Sequence, residues 1–229
     1  MSMLNSILNS LFPSTCAGCG EVLVGNESQL CVHCLAQLPA THYSANPNNE
    51  AELLLAGRIP FRAATAMLQF QADNSVRRII HAMKFHGNSD LCLLMGRQLG
   101  LDIVRSGRFD DIDLLVPVPL HWFRRLQRGY NQSELLCRGM AEVLGLPVNS
   151  TALKRVHYTK KQSMQRRDQR HKNVENAFNV VQPEQLKNKH ILLVDDVVTT
   201  GATLTGCCDA LAKVEGLTIS IAALSIASV

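Results

Sequence analysis

Two adjacent carboxylates followed by a hydroxyl-rich turn form the segment of this chain with the clearest chemical potential. Asp195 and Asp196 directly follow the apolar run 191–194, and residues 199–203 read Thr-Thr-Gly-Ala-Thr. Carboxylates accept hydrogen bonds from hydroxyl groups, whereas the free backbone N–H groups of a turn that opens a helix attract a phosphate. Glycine, here Gly201, lets the backbone approach an anion closely. These features together predict a ligand that carries both hydroxyls and a phosphate, such as a sugar phosphate.

A strand and a helix must position these groups. Residues 191–194 are apolar at every position, which is typical of a strand buried on both faces of a parallel sheet. Ligands of such sheets bind at the carboxyl ends of the strands. An apolar helical pattern follows over 204–214. Further patterns along the chain predict strands at 61–70, 112–118 and 218–226 and helices at 75–85, 88–104 and 131–144. Their alternation predicts an α/β fold with a mainly parallel sheet.

Four of the eight cysteines have the spacing of a metal site. Cys16 and Cys19 form one C-x2-C pair, and Cys31 and Cys34 form another. Two such pairs supply the four thiolates of a tetrahedral structural zinc site. We therefore predict a closed zinc site with these four cysteines as ligands. His33 lies too close in sequence to its neighbours to share the metal easily and is predicted to be a bystander.

A first basic segment follows the predicted strand 112–118. The strand ends in a turn at Leu120 and His121, and Arg124 and Arg125 come next, with Arg128 further along. Guanidinium groups bind phosphate oxygens through paired hydrogen bonds, so this turn is a candidate phosphate site. A surface turn that starts a basic helix is the alternative.

A second basic segment covers residues 154–178 and shows no convincing strand pattern. The chain's net positive charge is concentrated in this segment. The whole chain has a net charge of +4, but the remainder without this segment is slightly acidic. Its candidate ligand-binding side chains are Lys160, Lys161, Arg166, Arg167 and Arg170. A mobile loop that closes over a bound pyrophosphate and a contact to nucleic-acid phosphates both fit this composition.

Composition and length set the frame for these sites. Hydrophobic residues make up 46% of the 229 positions, which is enough for a sizeable core. We find no apolar run long enough to span a membrane. Residues 1–12 carry a helical apolar stripe without basic residues, so we expect no secretory signal and a cytoplasmic protein. The predicted division is an N-terminal helix and zinc module at 1–45, a linker at 46–60 and an α/β domain at 61–229.

Residues 191–203 resemble the phosphoribosyl-pyrophosphate (PRPP) motif of type I phosphoribosyltransferases. In that motif a hydrophobic strand leads into two acidic residues and a short Thr/Gly-rich phosphate loop. The resemblance implies that Asp195 and Asp196 hold the ribose 2′- and 3′-hydroxyls. It also implies that a loop binds the 5′-phosphate, and this loop consists of Thr199, Thr200, Gly201, Ala202 and Thr203. The turn at Leu120 and His121 corresponds to the pyrophosphate loop of these enzymes, and residues 154–178 to their flexible catalytic loop.

One position departs from a branch of that group. In the 6-oxopurine phosphoribosyltransferases the first residue of the phosphate loop is an acid that serves the purine base. Here that position is Thr199, which cannot act as a carboxylate base. A hypoxanthine or guanine substrate is therefore disfavoured.

Further motifs extend the resemblance over nearly the whole chain. They follow the four-cysteine module in the order Lys84-Phe85-x-Gly87, Pro117-x-Pro119, Arg124-Arg125-x-x-Arg128-Gly-x-Asn131-Gln-Ser133 and Asn173-Val-x-x-Ala177-Phe178. This order resembles the ComF family of bacterial competence and DNA-utilisation proteins. The expected fold is a type I phosphoribosyltransferase-like parallel sheet with flanking helices plus a small N-terminal four-cysteine zinc module.

The resemblance to the ComF family implies a role in natural transformation, the uptake and utilisation of external DNA, on the cytoplasmic side. Two alternatives stay open: an active phosphoribosyltransferase of nucleotide metabolism with an unidentified acceptor, and a non-catalytic module that binds PRPP or single-stranded DNA. The expected cofactors are structural zinc and Mg²⁺ bound with PRPP. The candidate partners are PRPP or a related sugar phosphate, single-stranded DNA, a DNA-processing helicase and a second copy of the chain in a homodimer.

Overall fold

The computed structural model describes residues 14–71, 75–85, 87–156 and 177–227, and within them four parallel strands form a central sheet. In spatial order these are β1 (Ala64–Phe70), β6 (Thr218–Ala227), β5 (His190–Val198) and β2 (Leu114–Pro117). β5 lies between β6 and β2, with Leu193 opposite Ile221 on one side and Val116 on the other. The predicted parallel α/β sheet is confirmed. Because all four strands run the same way, their carboxyl ends meet at one edge.

Seven α-helices accompany the sheet in the described part of the chain. Their bounds are α1 (Val32–Ala36), α2 (Glu50–Leu55), α3 (Ser75–Phe85), α4 (Ser89–Ser106), α5 (Trp122–Arg128), α6 (Gln132–Leu144) and α7 (Ala202–Leu211). None of the described helices is long and apolar enough to cross a bilayer.

The alternation of side chains along β5 divides the hydrophobic core into two layers. Ile191 and Leu193 face one layer, which includes residues of α2 and α7. Leu192 and Val194 face the other layer, which is built by α3, α4 and α6. Burial on both faces explains the uninterrupted apolar run at 191–194, as the sequence pattern predicted.

The zinc module packs against the second of these layers rather than standing apart. Cys16, Leu30 and Cys34 are buried in the same cluster as the side chains of α3 and α4. Residues 39–41 continue this contact by pairing antiparallel with the free edge of β1, where the Thr41 N–H donates to the Met67 carbonyl over 2.9 Å. The module is therefore joined to the sheet by both backbone and apolar contacts.

The segment 46–60, which we assigned to a linker, contains α2. Asn49 caps this helix by accepting a hydrogen bond from the Glu52 N–H, and its Nδ2 donates to the Ala64 carbonyl over 2.9 Å. Leu55 at the other end is fully buried in the core layer that includes α7. These contacts bring residues 46–60 into the packed structure beside the phosphate loop.

The expectation of no strand in 154–178 is wrong at both ends of that segment. β3 (Leu153–Arg155) pairs antiparallel with β4 (Phe178–Val180) in a separate two-stranded sheet. Strands of three residues are too short to show a readable alternation, and their pairing spans a long sequence separation. Residues 157–176 lie outside the described part of the chain, and with them Lys160, Lys161, Arg166, Arg167 and Arg170.

Candidate functional site

The two predicted carboxylates lie near the carboxyl end of β5 and have different neighbours. Asp195 is 8% exposed, and its Oδ1 accepts hydrogen bonds from the Ser133 hydroxyl at 3.2 Å and from the Asp196 N–H at 2.9 Å. Asp196 forms an ion pair instead, with 2.9 Å between its Oδ2 and the Nζ of Lys84. The two carboxylates have different partners because successive side chains of a strand point to opposite faces of the sheet.

The surroundings of Asp195 change its protonation. Burial and, less strongly, the negative charge of Asp196 raise the pKa of Asp195 to about 7. The hydrogen bonds from the Asp196 N–H and Ser133, together with the charge of Lys84, act in the opposite direction but do not cancel these effects. Near neutral pH this carboxyl is therefore divided between its two forms, and it can donate a hydrogen bond to a hydroxyl oxygen as well as accept one.

A cavity of about 250 Å³ opens beside the carboxylate pair, and we call it the strand-end cavity. Asp195 and Asp196 line it together with four cationic side chains, which are Lys84, Arg124, Arg128 and Arg155. The buried Nε of Arg155 has no hydrogen-bond acceptor among the described residues. More positive than negative groups converge here, as a ligand with several phosphates requires.

Lys84 and Arg155 were not among the residues predicted for this site. Lys84 lies in the last turn of α3, where lysine is also favoured by the helix dipole, so its position gave no specific signal beyond the Lys-Phe-x-Gly motif. Arg155 belonged to a crowded basic segment and is singled out only by its place in β3. The fold brings both to the end of β5.

The predicted phosphate loop encloses a smaller cavity of about 40 Å³ at the start of α7. All five predicted residues line it, namely Thr199, Thr200, Gly201, Ala202 and Thr203. Gly201 has a φ of 74°, and a Cβ at this position would meet Leu55 Cδ2 at 2.9 Å. Arg58 donates to the Thr200 carbonyl over 2.8 Å. Residues from 46–60 thus support the loop from behind, and the positive φ of Gly201 favours glycine at its tip.

The turn after β2 contributes to the strand-end cavity selectively. Leu120 and Arg124 line it, whereas His121 is buried at the start of α5, where its Nδ1 accepts a hydrogen bond from the Phe123 N–H at 3.2 Å. Burial lowers the pKa of His121, and the positive charges of Arg155 and Arg124 lower it further.

Arg125 is not brought to the cavity. Its guanidinium is 62% exposed and lies 3.8 Å from the carboxylate of Glu134. Arg124 and Arg128 are four residues apart and so share a helix face, which Arg125 does not.

The motif at 128–133 fixes the geometry of the site. The Tyr130 hydroxyl and the Gln132 Nε2 both donate to the Met83 carbonyl, at 2.8 and 3.3 Å, and so hold the end of α3 next to Lys84. Asn131 Nδ2 donates to the Val118 carbonyl over 3.0 Å. The last residue of the motif is Ser133, which contacts Asp195. These contacts tie α3, the turn after β2 and β5 into one arrangement.

The four predicted zinc ligands form a compact cluster near the N-terminal end of the described residues. The Sγ atoms of Cys16, Cys19, Cys31 and Cys34 all lie within 4.8 Å of one another, and the Cys19–Cys31 pair is 3.9 Å apart. Zn–S bonds of about 2.3 Å in a tetrahedron require sulfur separations of about 3.8 Å, so the donor set fits zinc. His33 is exposed and outside the cluster.

Backbone donors stabilise negative charge on this cluster. The Cys16 Sγ accepts from the N–H groups of Cys31 at 3.3 Å and Gly18 at 3.4 Å. Burial by itself raises the pKa of the Cys16 thiol, but the backbone hydrogen bonds outweigh it and lower the value to about 6. The thiolate is the form of cysteine that binds zinc, and a thiol with a lowered pKa reaches this form more readily.

Comparisons with known proteins agree with both sites. Residues 7–45 match the double zinc ribbon domain, and residues 132–226 match the phosphoribosyl transferase domain. The DNA utilization protein YhgH of Escherichia coli O157:H7 is 30% identical over 209 residues, which cover 90% of this chain and 87% of the relative. The YhgH of Escherichia coli K12 is 32% identical over 192 residues, covering 82% and 80%. The chain belongs to the YhgH family.

Another relative carries the competence name. Competence protein F of Haemophilus influenzae is 34% identical over 130 residues, which cover 55% of this chain and 57% of that protein. The resemblance to the ComF family drawn from the motifs is confirmed, and so is the structural zinc of this YhgH-family chain.

A solved structure also aligns with this YhgH-family chain. It is the glutamine PRPP amidotransferase of B. subtilis complexed with ADP and GMP, with a TM-score of 0.41 and 17% identity. The alignment covers 58% of the present chain and spans about a quarter of the amidotransferase chain, at 26%.

Proposed function

We propose that this protein binds Mg²⁺-PRPP, or a closely related phosphorylated pentose, in the strand-end cavity and acts in the uptake and utilisation of external DNA. One observation carries the ligand assignment: a carboxylate pair, of which Asp195 is buried, shares a single cavity with four cationic side chains. The names of the relatives, DNA utilization protein and competence protein F, support the biological setting. We place this role on the cytoplasmic side, with a DNA-processing helicase as the expected partner.

Each part of PRPP has a complementary group. Asp195 and Asp196 would bond the ribose hydroxyls, and the loop 199–203 would bind the 5′-phosphate through backbone N–H groups and threonine hydroxyls. The pyrophosphate would meet the positive charges of the cavity, which are those of Lys84, Arg124, Arg128 and Arg155. Because Lys84 already neutralises Asp196, it would lie between the ribose and the pyrophosphate.

Magnesium fits the same site. It prefers oxygen ligands and usually binds through substrate phosphates and one or two carboxylates, and Asp195 and Asp196 are the carboxylates of this cavity. When bound, the ion supplies charge neutralisation for the pyrophosphate. The chain's own residues hold the ribose and the leaving group in position.

Phosphoribosyl transfer is the reaction that this arrangement supports. An acceptor nucleophile would attack the anomeric carbon, and the bond from that carbon to the pyrophosphate oxygen would break. The electron pair leaves with the pyrophosphate, where Arg124, Arg128 and Lys84 stabilise the added charge. Positioning and electrostatics, rather than covalent catalysis, would supply the rate.

Binding can be tested first and turnover second. Thermal shift and calorimetry with Mg²⁺-PRPP should show stabilisation and binding, and the double variant Asp195→Asn/Asp196→Asn should abolish both. Asp110→Asn, an exposed carboxylate elsewhere, is the matched control and should behave as wild type. A wild-type protein that does not respond to PRPP would refute the ligand assignment. Pyrophosphate release with nucleobases, amines or DNA then separates an enzyme from a binding module.

A second function, single-stranded DNA binding, is favoured by the surface of α5. Trp122 and Leu126 are 67% and 77% exposed, Phe123 is half-exposed, and the exposed Arg125 lies on the same short helix. Aromatic faces stack on unpaired bases and arginine neutralises phosphates, so this surface suits a single strand that passes the strand-end cavity.

Oligonucleotide anisotropy tests the DNA surface. Trp122→Ala should weaken binding about tenfold with little change in its salt dependence, whereas Arg125→Gln should reduce the salt slope by about one. Leu53→Ala, an equally exposed apolar residue on α2, is the control. Equal affinities for all three variants and wild type would exclude α5 as the DNA contact.

A further inference from the structure

A second cavity of about 450 Å³ lies where the zinc module meets the α/β domain, and we call it the junction cavity. It shares no lining residue with the strand-end cavity. Its walls come from four places: the end of α1 and the residues after it, the segment 40–45, β1, and α4. Its volume falls in the range of small-molecule sites, which is about 300–1,000 Å³.

One side of the junction cavity is apolar. Leu35 and Leu38 of the zinc module contribute to it, and Met67 and Leu68 of β1 form the adjoining surface. The two β1 side chains are buried in the core and so present a fixed wall. A flat apolar part of a ligand could pack against this side and remove the exposed parts of Leu35 and Leu38 from water.

Asp102 of α4, which is half-buried, also lines the junction cavity. The Asp102 Oδ2 is inaccessible to solvent and has no hydrogen-bond partner among the described residues. Burial raises the pKa of the Asp102 carboxyl, and Ser44, which lines the same cavity, acts in the opposite direction. A buried acceptor without a donor is costly, so a rotation of the carboxyl group that lets a ligand N–H reach Oδ2 would gain binding energy at this point.

Two basic side chains lie near this acceptor. Arg105 and His42 both line the cavity and act electrostatically on Asp102. His42 is held in the left-handed region, with a φ of 59°, and its carbonyl accepts from Asn46 Nδ2 at 2.8 Å. A cationic ligand is disfavoured beside these groups. A neutral N–H donor that also carries an anionic group is favoured.

We propose that the junction cavity binds a mononucleotide whose base carries an exocyclic amino group. The base would lie against Leu38 and Met67 and donate its amino hydrogen to Asp102. Its phosphate would meet Arg105 and His42 at the rim. Because the zinc module and the sheet both line the cavity, the nucleotide would bind across their boundary.

The test must exclude nucleotide binding in the strand-end cavity, which has its own affinity for a ribose phosphate under the proposed function. Calorimetry is therefore done on the full-length Asp195→Asn/Asp196→Asn protein with its zinc retained. AMP, CMP and GMP are compared with UMP, which has no exocyclic amino group. At least one amino-bearing nucleotide should bind ten times more tightly than UMP.

Two variants identify the cavity. Asp102→Asn keeps the shape but turns an amide donor toward the base, and it should remove the preference over UMP. Arg105→Gln, at an exposed position, should weaken all nucleotides at least threefold. Asp90→Asn neutralises an exposed carboxylate on the same helix outside the cavity and should change nothing.

Absence of binding by any of the four nucleotides, or equal binding of UMP, would overturn the proposal. So would an unchanged preference in the Asp102→Asn protein. These outcomes concern a protein that already lacks the carboxylates of the strand-end cavity, so they are independent of whether PRPP binds the wild type.

Discussion

The four zinc ligands all lie between Cys16 and Cys34, whereas the groups that line the strand-end cavity range from Lys84 to Thr203. The zinc cluster is closed: four thiols face one another, and the sulfur atoms of Cys16 and Cys31 accept hydrogen bonds from backbone N–H groups. The strand-end cavity is open and carries an excess of positive charge around two carboxylates. The cysteine cluster needs only a metal ion to be complete. The strand-end cavity is arranged around a ligand that must enter and leave.

The difference has an energetic consequence. The zinc cluster is part of a core layer, through Cys16 and Cys34, so losing the metal should disturb folding. The strand-end cavity lies at the edge of the sheet, where Lys84 and Asp196 are only partly shielded from solvent. Except at the buried Asp195, changes there should alter affinity more than stability. Four predictions test this division, beginning with the largest effect.

Removal of a zinc ligand should have the largest effect on stability. Cys34→Ser should abolish the bound zinc, about one per chain, and lower the free energy of unfolding by several kcal/mol, on the order of 5. Metal analysis and chemical denaturation measure the two results. Cys137→Ala, a buried cysteine of the same core layer outside the cluster, should keep its zinc. A zinc-free Cys34→Ser protein of wild-type stability would contradict the structural role of the site.

The second prediction concerns pH and Asp195. Because the folded pKa of about 7 lies above that of an unfolded aspartate, the folded state holds the proton more tightly. Its contribution to stability is complete below about pH 4 and is lost as the pH rises to about 7. Asp195→Asn cannot ionise, so its stability relative to wild type should rise across this window, by on the order of 4 kcal/mol at most.

Denaturation of both proteins at several pH values between 4 and 8 measures this effect. A constant difference between them would show that Asp195 titrates normally. Mg²⁺-PRPP affinity of the same variant should fall, which separates a more stable fold from a working site.

The third prediction concerns the ion pair in the cavity. Lys84→Met removes a positive charge that both Asp196 and the proposed pyrophosphate require, and Mg²⁺-PRPP affinity should fall about tenfold, or about 1.4 kcal/mol. Lys187→Met breaks a pair with Glu215 that is largely exposed and should change neither affinity nor stability by more than about 0.5 kcal/mol. If the two variants bound PRPP equally well, Lys84 would have no role in the ligand site.

The smallest effect should distinguish two arginines of α5. Arg128→Gln removes a cation of the strand-end cavity and should weaken pyrophosphate binding by roughly three- to tenfold, since charge-assisted hydrogen bonds contribute about 1 kcal/mol or more. Arg125→Gln should leave pyrophosphate affinity unchanged, because its side chain faces Glu134. Competition with labelled PRPP measures both. A loss for Arg125→Gln equal to that for Arg128→Gln would mean that α5 turns on binding.

The sequence predicted the parts of the site that are continuous in the chain. The strand before Asp195, the turn at 199–203 and the following helix form one local unit, so apolar patterning and turn residues were sufficient to locate it. The cysteine spacing worked for the same reason. The fold class followed from the alternation of such units.

Sequence pattern did not decide which basic residues face the strand-end cavity. Arg124 and Arg125 are adjacent and chemically equal, and only the helical rotation of α5 separates them. Lys84 and Arg155 come from elements far apart in sequence. Residues 46–60 had the composition of a linker, yet Leu55 and Arg58 support the phosphate loop.

By itself, the sequence determined the four-cysteine cluster, the buried β5 strand, and the carboxylates and Thr/Gly-rich turn at its end, because each depends on spacing within one short segment. The tertiary structure alone decided the positive lining of the strand-end cavity, the support behind Gly201 and the junction cavity around Asp102. These depend on which strands lie side by side and which helix faces turn inward. That choice is made by burial of the whole core and not by any single motif.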